Sequence, residues 1–334
     1  MTSLRPTAVL LIALAGSGTA QTSPPTILEA NYTQPAAGPR IAPSQILTLI
    51  VRGVKAAEGQ LAIQARTIPL PYELAGVTAT LGTAEGTRLR MPVLRIDNPL
   101  CGAAGFECDV RAVTVQVPVE VEALLRASSP ERPITPYIAI SEAEAPLVWT
   151  RAVLAPASPH LLGNCEYPVR TNPCTHFGPV ITHGDGSFVT DDRPAAPGEI
   201  IVIYALGLGR TSPGVPTGEV APSPAPVSVD RYSVRFSVLK STDTEIEDLD
   251  IHDVAAEFSG LVTGLVGMYQ INVRIPSRID RLTEGTPCGE GGIWIGVRAG
   301  RLNTFVSNRL TVCVAALTKE FVPDTARSIH PASQ

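Results

Sequence analysis

The residues that could do nucleophilic or acid–base chemistry are few and widely spaced in this sequence. A serine or cysteine hydrolase needs a histidine base beside its nucleophile, held in place by a third group. The five histidines are His160, His176, His183, His252 and His330, and no Gly-x-Ser-x-Gly or His-Glu-x-x-His motif accompanies them. We therefore predict no enzyme, no catalytic residue and no cofactor. A cleft that joins His183 or His252 to a serine and an aspartate would instead indicate a hydrolase.

Zinc is one metal that the sequence could hold. Cys165 and Cys174 lie near His176 and His183, and cysteine with histidine is a common ligand set. The two cysteines are farther apart than in the Cys-x2-Cys pairs typical of zinc sites. We therefore favour oxidised cysteines over a zinc site.

Calcium is the other metal that the acidic residues could bind. Asp185 lies within a Gly-Asp-Gly turn that Asp191 and Asp192 follow closely, and an acidic insert runs from Asp243 to Asp253. The insert lacks the central glycine of an EF-hand loop, and its mixture of acids and branched apolar residues favours a charged edge strand. Aspartate is also common in turns that bind no metal. We predict turn and edge-strand roles, and a weak calcium site at either place stays open.

Aromatic rings clustered on one sheet would indicate sugar binding. The candidate aromatic residues are Trp149, Trp294, Tyr137, Tyr204 and Tyr269, and most of them lie at strand positions. Such positions more often serve the core, so we predict a core role for most of them. Tyr32 and Tyr167 lie in predicted loops.

The elements that would position these residues are strands, and they occur in two similar sets. Residues 42–49 resemble residues 196–203, and residues 100–118 align without a gap on residues 258–276. Long-period self-similarity indicates a duplicated unit. Short strand-like runs between turns rich in glycine and proline then predict the fold class: all-β, with two tandem Ig-like β-sandwich domains.

The predicted organisation follows from these runs. The boundaries are 1–20 for a signal peptide, 27–155 for the first domain, 156–178 for a disulfide-stapled connector, 179–316 for the second domain and 317–334 for a disordered tail. The principal strands are predicted at 46–51, 77–81, 93–96, 113–119, 137–140, 147–154, 200–204, 232–239, 253–258, 268–275, 293–297 and 310–314. A hairpin is predicted around Gly184-Asp185-Gly186, a single helical turn within 119–126, and a long exposed loop at 207–226.

The N-terminus and the charge indicate location and partners. A positive start, the apolar run at residues 8–15 and a small-residue ending predict a signal peptide cleaved after Ala20. The expected location is therefore secreted, periplasmic or at the cell surface. A formal net charge of −5 argues against nucleic acid, and no later run is long enough for a membrane span.

An exported chain is expected to oxidise its cysteines. Proximity in sequence indicates the pairs Cys101–Cys108, Cys165–Cys174 and Cys288–Cys313, although six cysteines allow other connectivities. These six disulfide cysteines are the only site residues that we predict.

The second copy resembles a known family. Residues 193–209, 258–261, 264–276 and 307–312 are similar to the Solibacter uncharacterised C-terminal Ig-like domain family of exported bacterial proteins. The resemblance covers roughly residues 194–314, and the first copy resembles a divergent partner domain. It implies an Ig-like sandwich and brings no catalytic residue. The Cys288–Cys313 pair and the insert from Asp243 to Asp253 depart from the family pattern.

The function predicted from the sequence is therefore that of an exported, non-enzymatic tandem Ig-like protein. Its role would be structural, adhesive or protein-interacting, with an unknown protein or glycan as partner. A carbohydrate-binding module is the alternative, and an unrecognised hydrolase is the third possibility.

Overall fold

The fold is seen in a computed structural model that describes residues 25–30, 38–98, 109–143, 145–163, 179–241, 246–277, 293–299 and 305–315. The prediction of an all-β protein is confirmed, because one short helix is the only regular element in these residues that is not a strand. The predicted signal peptide and C-terminal tail lie outside the described residues.

The elements of the first half are β1 (Thr26–Ala30), β2 (Arg40–Ile41), β3 (Ile46–Arg52), β4 (Ala62–Gln64), β5 (Glu73–Leu74), β6 (Val77–Gly82), β7 (Arg88–Met91), β8 (Val93–Asp97), β9 (Val110–Gln116), α1 (Val121–Ala127), β10 (Tyr137–Glu142), β11 (Ala145–Arg151) and β12 (Val153–Leu154). Those of the second half are β13 (His160–Leu161), β14 (Ile181–His183), β15 (Ile200–Leu206), β16 (Thr211–Ser212), β17 (Val227–Ser228), β18 (Tyr232–Ser241), β19 (Ile246–Ala255), β20 (Phe258–Leu261), β21 (Tyr269–Arg274), β22 (Ile293–Ala299) and β23 (Phe305–Val312).

The first half is a two-layer β-sandwich. One sheet has the order β1-β3-β9-β8-β4, and the other has the order β11-β10-β6-β5 with β7 also paired to β6. Alternate residues of each strand point to opposite faces. Leu47 and Leu49 of β3 therefore share one buried core with Ile138 and Ile140 of β10.

The second half repeats this strand order. Its sheets run β13-β15-β21-β20-β17-β16 and β19-β18-β22-β23, and β14 also pairs with β15. The register repeats as well: Ile46 lies opposite Gln116, and Ile200 lies opposite Arg274. These are the positions that the sequence repeat aligns. Whether the halves are two separate domains stays a prediction.

The sequence predictions are wrong in three places. Residues 147–154 are not one strand, because β11 ends at Arg151 and β12 begins at Val153. Residues 253–258 are not one strand, because β19 ends at Ala255 and β20 begins at Phe258. The gapless alignment also fails at the strand beside β9, where Arg95 of β8 lies opposite Thr114. In the second half Phe258 lies opposite Asn272, the position aligned with Thr114. Arg95, rather than Leu100, is therefore the counterpart of Phe258.

The halves meet where the connector crosses the chain after β15. Gly207 and Gly209 have φ values of +71° and +74°. A Cβ atom would lie 2.2 Å from the carbonyl oxygen of Ser158 if built on Gly207, and 2.2 Å from that of Pro156 if built on Gly209. Only glycine permits this backbone conformation together with such close approach. The described part of the connector is thus fixed against the second half.

Two buried tyrosines hold the same turn. The hydroxyl of Tyr232 donates to the carbonyl oxygen of Leu208 at 2.5 Å, and that of Tyr269 donates to the carbonyl oxygen of Gly209 at 2.5 Å. Burial raises the pKa of both hydroxyls, so each remains a protonated donor.

The loop at residues 207–226, which we predicted to be long and exposed, also makes hydrogen bonds to the first half. Its Thr217 hydroxyl accepts from the Val119 amide at 3.0 Å and donates to the Glu120 carboxylate at 2.7 Å. Gly218 donates its amide to the Gln116 side chain at 2.7 Å and accepts from the Leu70 amide at 2.9 Å. We call Thr217 and Gly218 the clasp, because together they bind the second half to the first.

An ion pair extends this contact to α1. Arg210 donates to Glu122 at 2.8 Å, and Glu122 also pairs with Arg126 one helical turn later. The hydrogen bond from Arg126 and the nearby Arg210 hold the pKa of Glu122 below its usual range, against a smaller opposing effect of burial. This pair is solvent-exposed, so its contribution to stability is small.

Replacing Tyr269 with phenylalanine tests the tyrosine-held turn. Tyr269→Phe leaves the Gly209 carbonyl without its donor, which should lower the free energy of unfolding by about 1–3 kcal/mol. Tyr204→Phe is the matched control, because the half-buried Tyr204 makes no hydroxyl hydrogen bond to the described residues. Urea denaturation of both variants measures the difference. An equal loss in both would contradict the role of the Tyr269 bond.

Replacing Gly218 with alanine tests the clasp. Gly218 has a φ of +85°, and a Cβ there would lie 3.2 Å from the Leu70 nitrogen. Gly218→Ala should therefore cost about 1–2 kcal/mol and speed hydrogen exchange at the Leu70 amide. Gly214→Ala in the same loop is the control, because no atom lies within 4 Å of a Cβ there. Unchanged exchange at Leu70 in Gly218→Ala would show that the clasp does not hold the halves.

Candidate ligand-binding face

Strand alternation leaves one face of the β11-β10-β6-β7 layer turned away from the core. Ile138 and Ile140 of β10 are fully buried, so Tyr137 and Ala139 project from the opposite face. Residues that lie directly opposite one another on antiparallel strands share a face. The face therefore has two cross-strand rows: Trp149, Ala139, Thr80 and Arg90 in one, and Arg151, Tyr137, Gly82 and Arg88 in the other. We call these eight residues the aromatic–arginine face.

Trp149 is the most prominent side chain of this face. It is 64% exposed although it lies within a strand. Its ring stands edge-on to that of Tyr137, with ring centroids 6.3 Å apart and an interplanar angle of 72°. Such T-shaped pairs are favourable, because the edge of one ring carries positive charge and the face of the other carries negative charge. The pair presents apolar ring surface to solvent.

The absence of a side chain at Gly82 makes room for the ring of Tyr137. A Cβ built on Gly82 would lie 2.3 Å from Cζ and 2.4 Å from the hydroxyl oxygen of Tyr137. The tyrosine ring therefore lies across the glycine on the neighbouring strand, where a larger residue would displace it. The floor beside it consists of the small side chains of Thr80 and Ala139, so the face is shallow.

Arginines flank the rings. Arg88, Arg90 and Arg151 are exposed, and none of them pairs with a carboxylate among the described residues. The Arg90 guanidinium lies 4.7 Å from the centroid of the Tyr72 ring, a cation–π contact that orients it. Glu73 lies on β5 opposite Thr78, one row beyond the named rows. The face thus carries local positive charge in a chain whose formal net charge is −5.

The expected core role is wrong for Trp149 and right for Tyr269. Tyr269 is fully buried, whereas Trp294 and Tyr204 are intermediate in exposure. Val148, the preceding residue of β11, points into the core, and successive residues of a strand point to opposite faces. Trp149 therefore points to the solvent. The alternation of Val148, Trp149 and Thr150 with the exposed Arg151 could have revealed this from the sequence. Tyr32 and Tyr167 lie outside the described residues.

The structure gives His183 a structural role. Its Nδ1 lies 2.5 Å from Glu199 Oε1, and its Nε2 lies 3.2 Å from the carbonyl oxygen of Arg193. Both ring nitrogens therefore face acceptors, and neither is available to activate a hydroxyl. His183 is buried and ties β14 to the turn that precedes β15.

Two other histidines, His160 and His252, lie on strands of the second half. His252 lies on β19 opposite Phe236, and His160 is buried at the start of β13. His176 and His330 lie outside the described residues. A groove of about 690 Å³ runs along β4 past Gln64, Arg66 and Arg95, and the described residues that line it include no acid and no histidine.

Asp185 serves the predicted hairpin turn. Its Oδ1 accepts from the Ser187 amide at 3.0 Å and from the Ser187 hydroxyl at 2.7 Å, and its Oδ2 accepts from Arg193 at 2.8 Å. These bonds, those from Ser187 foremost, hold the pKa of Asp185 well below its usual range. The turn is closed by Gly186 at a φ of +86°. Asp185 is therefore engaged with the hairpin itself.

The other candidate calcium ligands form no metal-binding group in the described part of the chain. No group of three or more His, Cys, Asp or Glu side chains that could hold a metal is found there, including around Asp191 and Asp192. Residues 246–253 of the acidic insert lie in β19, which ends the sheet order β19-β18-β22-β23 among the described strands, so the edge-strand prediction is confirmed for them. Asp253 on this strand accepts two bonds from Arg235, at 2.8 and 2.7 Å, and these lower its pKa.

Of the six cysteines, only Cys313 is among the described residues. It follows β23 and is disulfide-bonded, with its partner outside the described residues. Its carbonyl oxygen accepts from the Ala195 amide at 2.9 Å. Cys101, Cys108, Cys165, Cys174 and Cys288 lie outside the described residues, so the three proposed pairs stay predictions.

Comparison with known proteins gives structural likenesses of low similarity. No family model matches the chain, and no curated protein matches it. The C-terminal domain of the AgI/II polypeptide BspA of Streptococcus agalactiae has a TM-score of 0.16 at 10% identity, covering 88% of this chain and 100% of that one. The adhesin InvE of Yersinia pseudotuberculosis has a TM-score of 0.17 at 10% identity, covering 83% and 56%. The C-terminal domain of the antigen I/II-family protein AspA of Streptococcus pyogenes has a TM-score of 0.16 at 10% identity, covering 88% and 98%. Similarity at this level carries no argument about the ligand of this chain.

Among the described helices, none has the length and apolar character needed to cross a membrane.

Replacing Gly82 with alanine tests how the ring pair is held. The new methyl group would occupy the space of the Tyr137 ring, so the ring must move away from its contact with Trp149. In a Trp294→Phe background, Gly82→Ala should change the fluorescence of Trp149. Gly184→Ala is the control, because no atom lies within 4 Å of a Cβ there. Identical spectra for both variants would contradict this arrangement.

Proposed function

We propose that this chain is an exported, non-enzymatic binding protein with an adhesive role, and that it contacts its partner through the aromatic–arginine face. The observation that carries this proposal is the 64% exposure of Trp149 beside a second aromatic ring. Tryptophan releases free energy when its large apolar ring is covered, so it is enriched where proteins bind ligands. A ring held on a rigid strand provides this energy without first ordering a loop.

The contacts of the candidate catalytic groups support a non-enzymatic role. His183 uses both ring nitrogens for acceptors within the fold, and Asp185 uses both oxygens in its own hairpin. A catalytic base needs a nitrogen or oxygen directed at a substrate. These residues therefore do not support the third possibility, an unrecognised hydrolase.

Export and family membership belong to the same proposal. The predicted signal peptide supports a secreted, periplasmic or cell-surface location. The resemblance of the second half to the Solibacter uncharacterised C-terminal Ig-like family supports the same setting. The clasp supports a structural role for the second half, because it would fix the orientation of the binding face relative to the rest of the chain.

A binding screen with matched aromatic variants tests the proposal. The full chain is applied to arrays of glycans and of surface proteins, and we expect Trp149→Ala to lower the affinity for its ligand about tenfold or more. Phe188→Ala is the control, because Phe188 is an aromatic residue of similar exposure, 61%, in the hairpin of the second half. Equal affinity of Trp149→Ala and the wild-type chain would overturn the proposed binding face. Absence of any ligand on both arrays would overturn the binding function.

A further inference from the structure

We propose that the aromatic–arginine face binds a carboxylated glycan, a polysaccharide whose pyranose rings carry uronate groups. This inference rests on the proposed function and assigns a ligand class to the same face. It depends on two independent properties of the face, its exposed rings and its unpaired arginines, which match the two chemical parts of such a ligand.

The rings match the apolar part of the ligand. A pyranose presents C–H groups on its flat faces, and an exposed aromatic ring can cover them. Trp149 and Tyr137 offer such ring surface with centroids 6.3 Å apart. Thr80 and Ala139 form a low floor between Trp149 and β7, so a flat polymer can lie across the strands without entering a pocket.

The arginines match the charged part of the ligand. Arg151 lies at one side of the floor, and Arg88 and Arg90 lie at the other, across strands that are spaced about 5 Å apart. A guanidinium binds a carboxylate through two parallel hydrogen bonds, which favours a planar acid over a neutral hydroxyl group. None of these arginines has a carboxylate partner among the described residues, so their bonding capacity is open to a ligand.

Two other anionic partners fit the face less well. An acidic protein would anchor side chains in pockets at the centre of an interface, whereas this centre is a shallow floor. Nucleic acid requires many phosphate contacts, and a chain with a formal net charge of −5 repels it outside this small patch. The shallow floor and the limited positive charge therefore favour the glycan.

Polygalacturonate and its fully methyl-esterified form provide the decisive pair of probes. Both have the same pyranose backbone, but the ester carries no charge. Titration calorimetry with the full chain should show binding of the acid form and at least tenfold weaker binding of the ester. Binding of the acid form should also weaken as salt is raised.

Variants locate the binding on the face. Arg88→Gln, Arg90→Gln and Arg151→Gln should each weaken binding of polygalacturonate by about tenfold, and Trp149→Ala should weaken binding of both polymers. Arg66→Gln removes an exposed arginine beside β4, in the other sheet, and should leave binding unchanged.

Several outcomes would overturn the carboxylated-glycan inference. Equal binding of acid and ester, or no binding of either polymer, removes the role of the carboxylates. Equal affinity for a single-stranded DNA oligonucleotide would make the face a general polyanion site, and binding only to an acidic protein would make it a protein interface. In each case Trp149→Ala tests the proposed binding function separately. If the ligand that still binds the wild-type chain no longer binds Trp149→Ala, the proposed binding function is supported. If Trp149→Ala binds that ligand as tightly as the wild-type chain does, the proposed binding function is overturned too.

Discussion

The alternation of side chains along each strand is the constraint on which the rest of the structure depends. Successive residues of a strand point to opposite faces of the sheet, so a strand at the surface of a sandwich can bury one face and expose the other. In β10 this rule sends Ile138 and Ile140 into the core and leaves Tyr137 and Ala139 outside. The candidate binding face is therefore a product of the same pattern that builds the hydrophobic core.

Much of the fold could be predicted from the sequence because it depends on local patterns and on the internal repeat. The two central strands of the repeat pair in the same register in both halves, as Ile46 with Gln116 and Ile200 with Arg274 show. The hairpin at Asp185 follows from the glycine beside it, since Gly186 takes a positive φ. Such features need only neighbours along the chain or pairing between adjacent strands.

Most of the features that the sequence did not reveal depend on contacts between distant residues. Gly218 belongs to a loop rich in glycine and proline, and nothing nearby in the sequence indicates that Gln116 and Leu70 will bind it. The three arginines of the binding face lie on β7 and β11, and only strand order brings them together. Trp149 was predicted in the core because aromatic residues in strands usually are, although its own strand already had Val148 on the core side.

The position of Tyr137 over Gly82 has a consequence for the entropy of binding. A side chain that must be immobilised by its ligand reduces affinity, because its rotamers are lost at that step. The strand partner of Tyr137 has already confined its ring in the unbound protein. Covering this ring with a ligand should therefore cost less rotamer entropy than ordering a side chain that extends into solvent, and the ring acts as a preorganised part of the binding face.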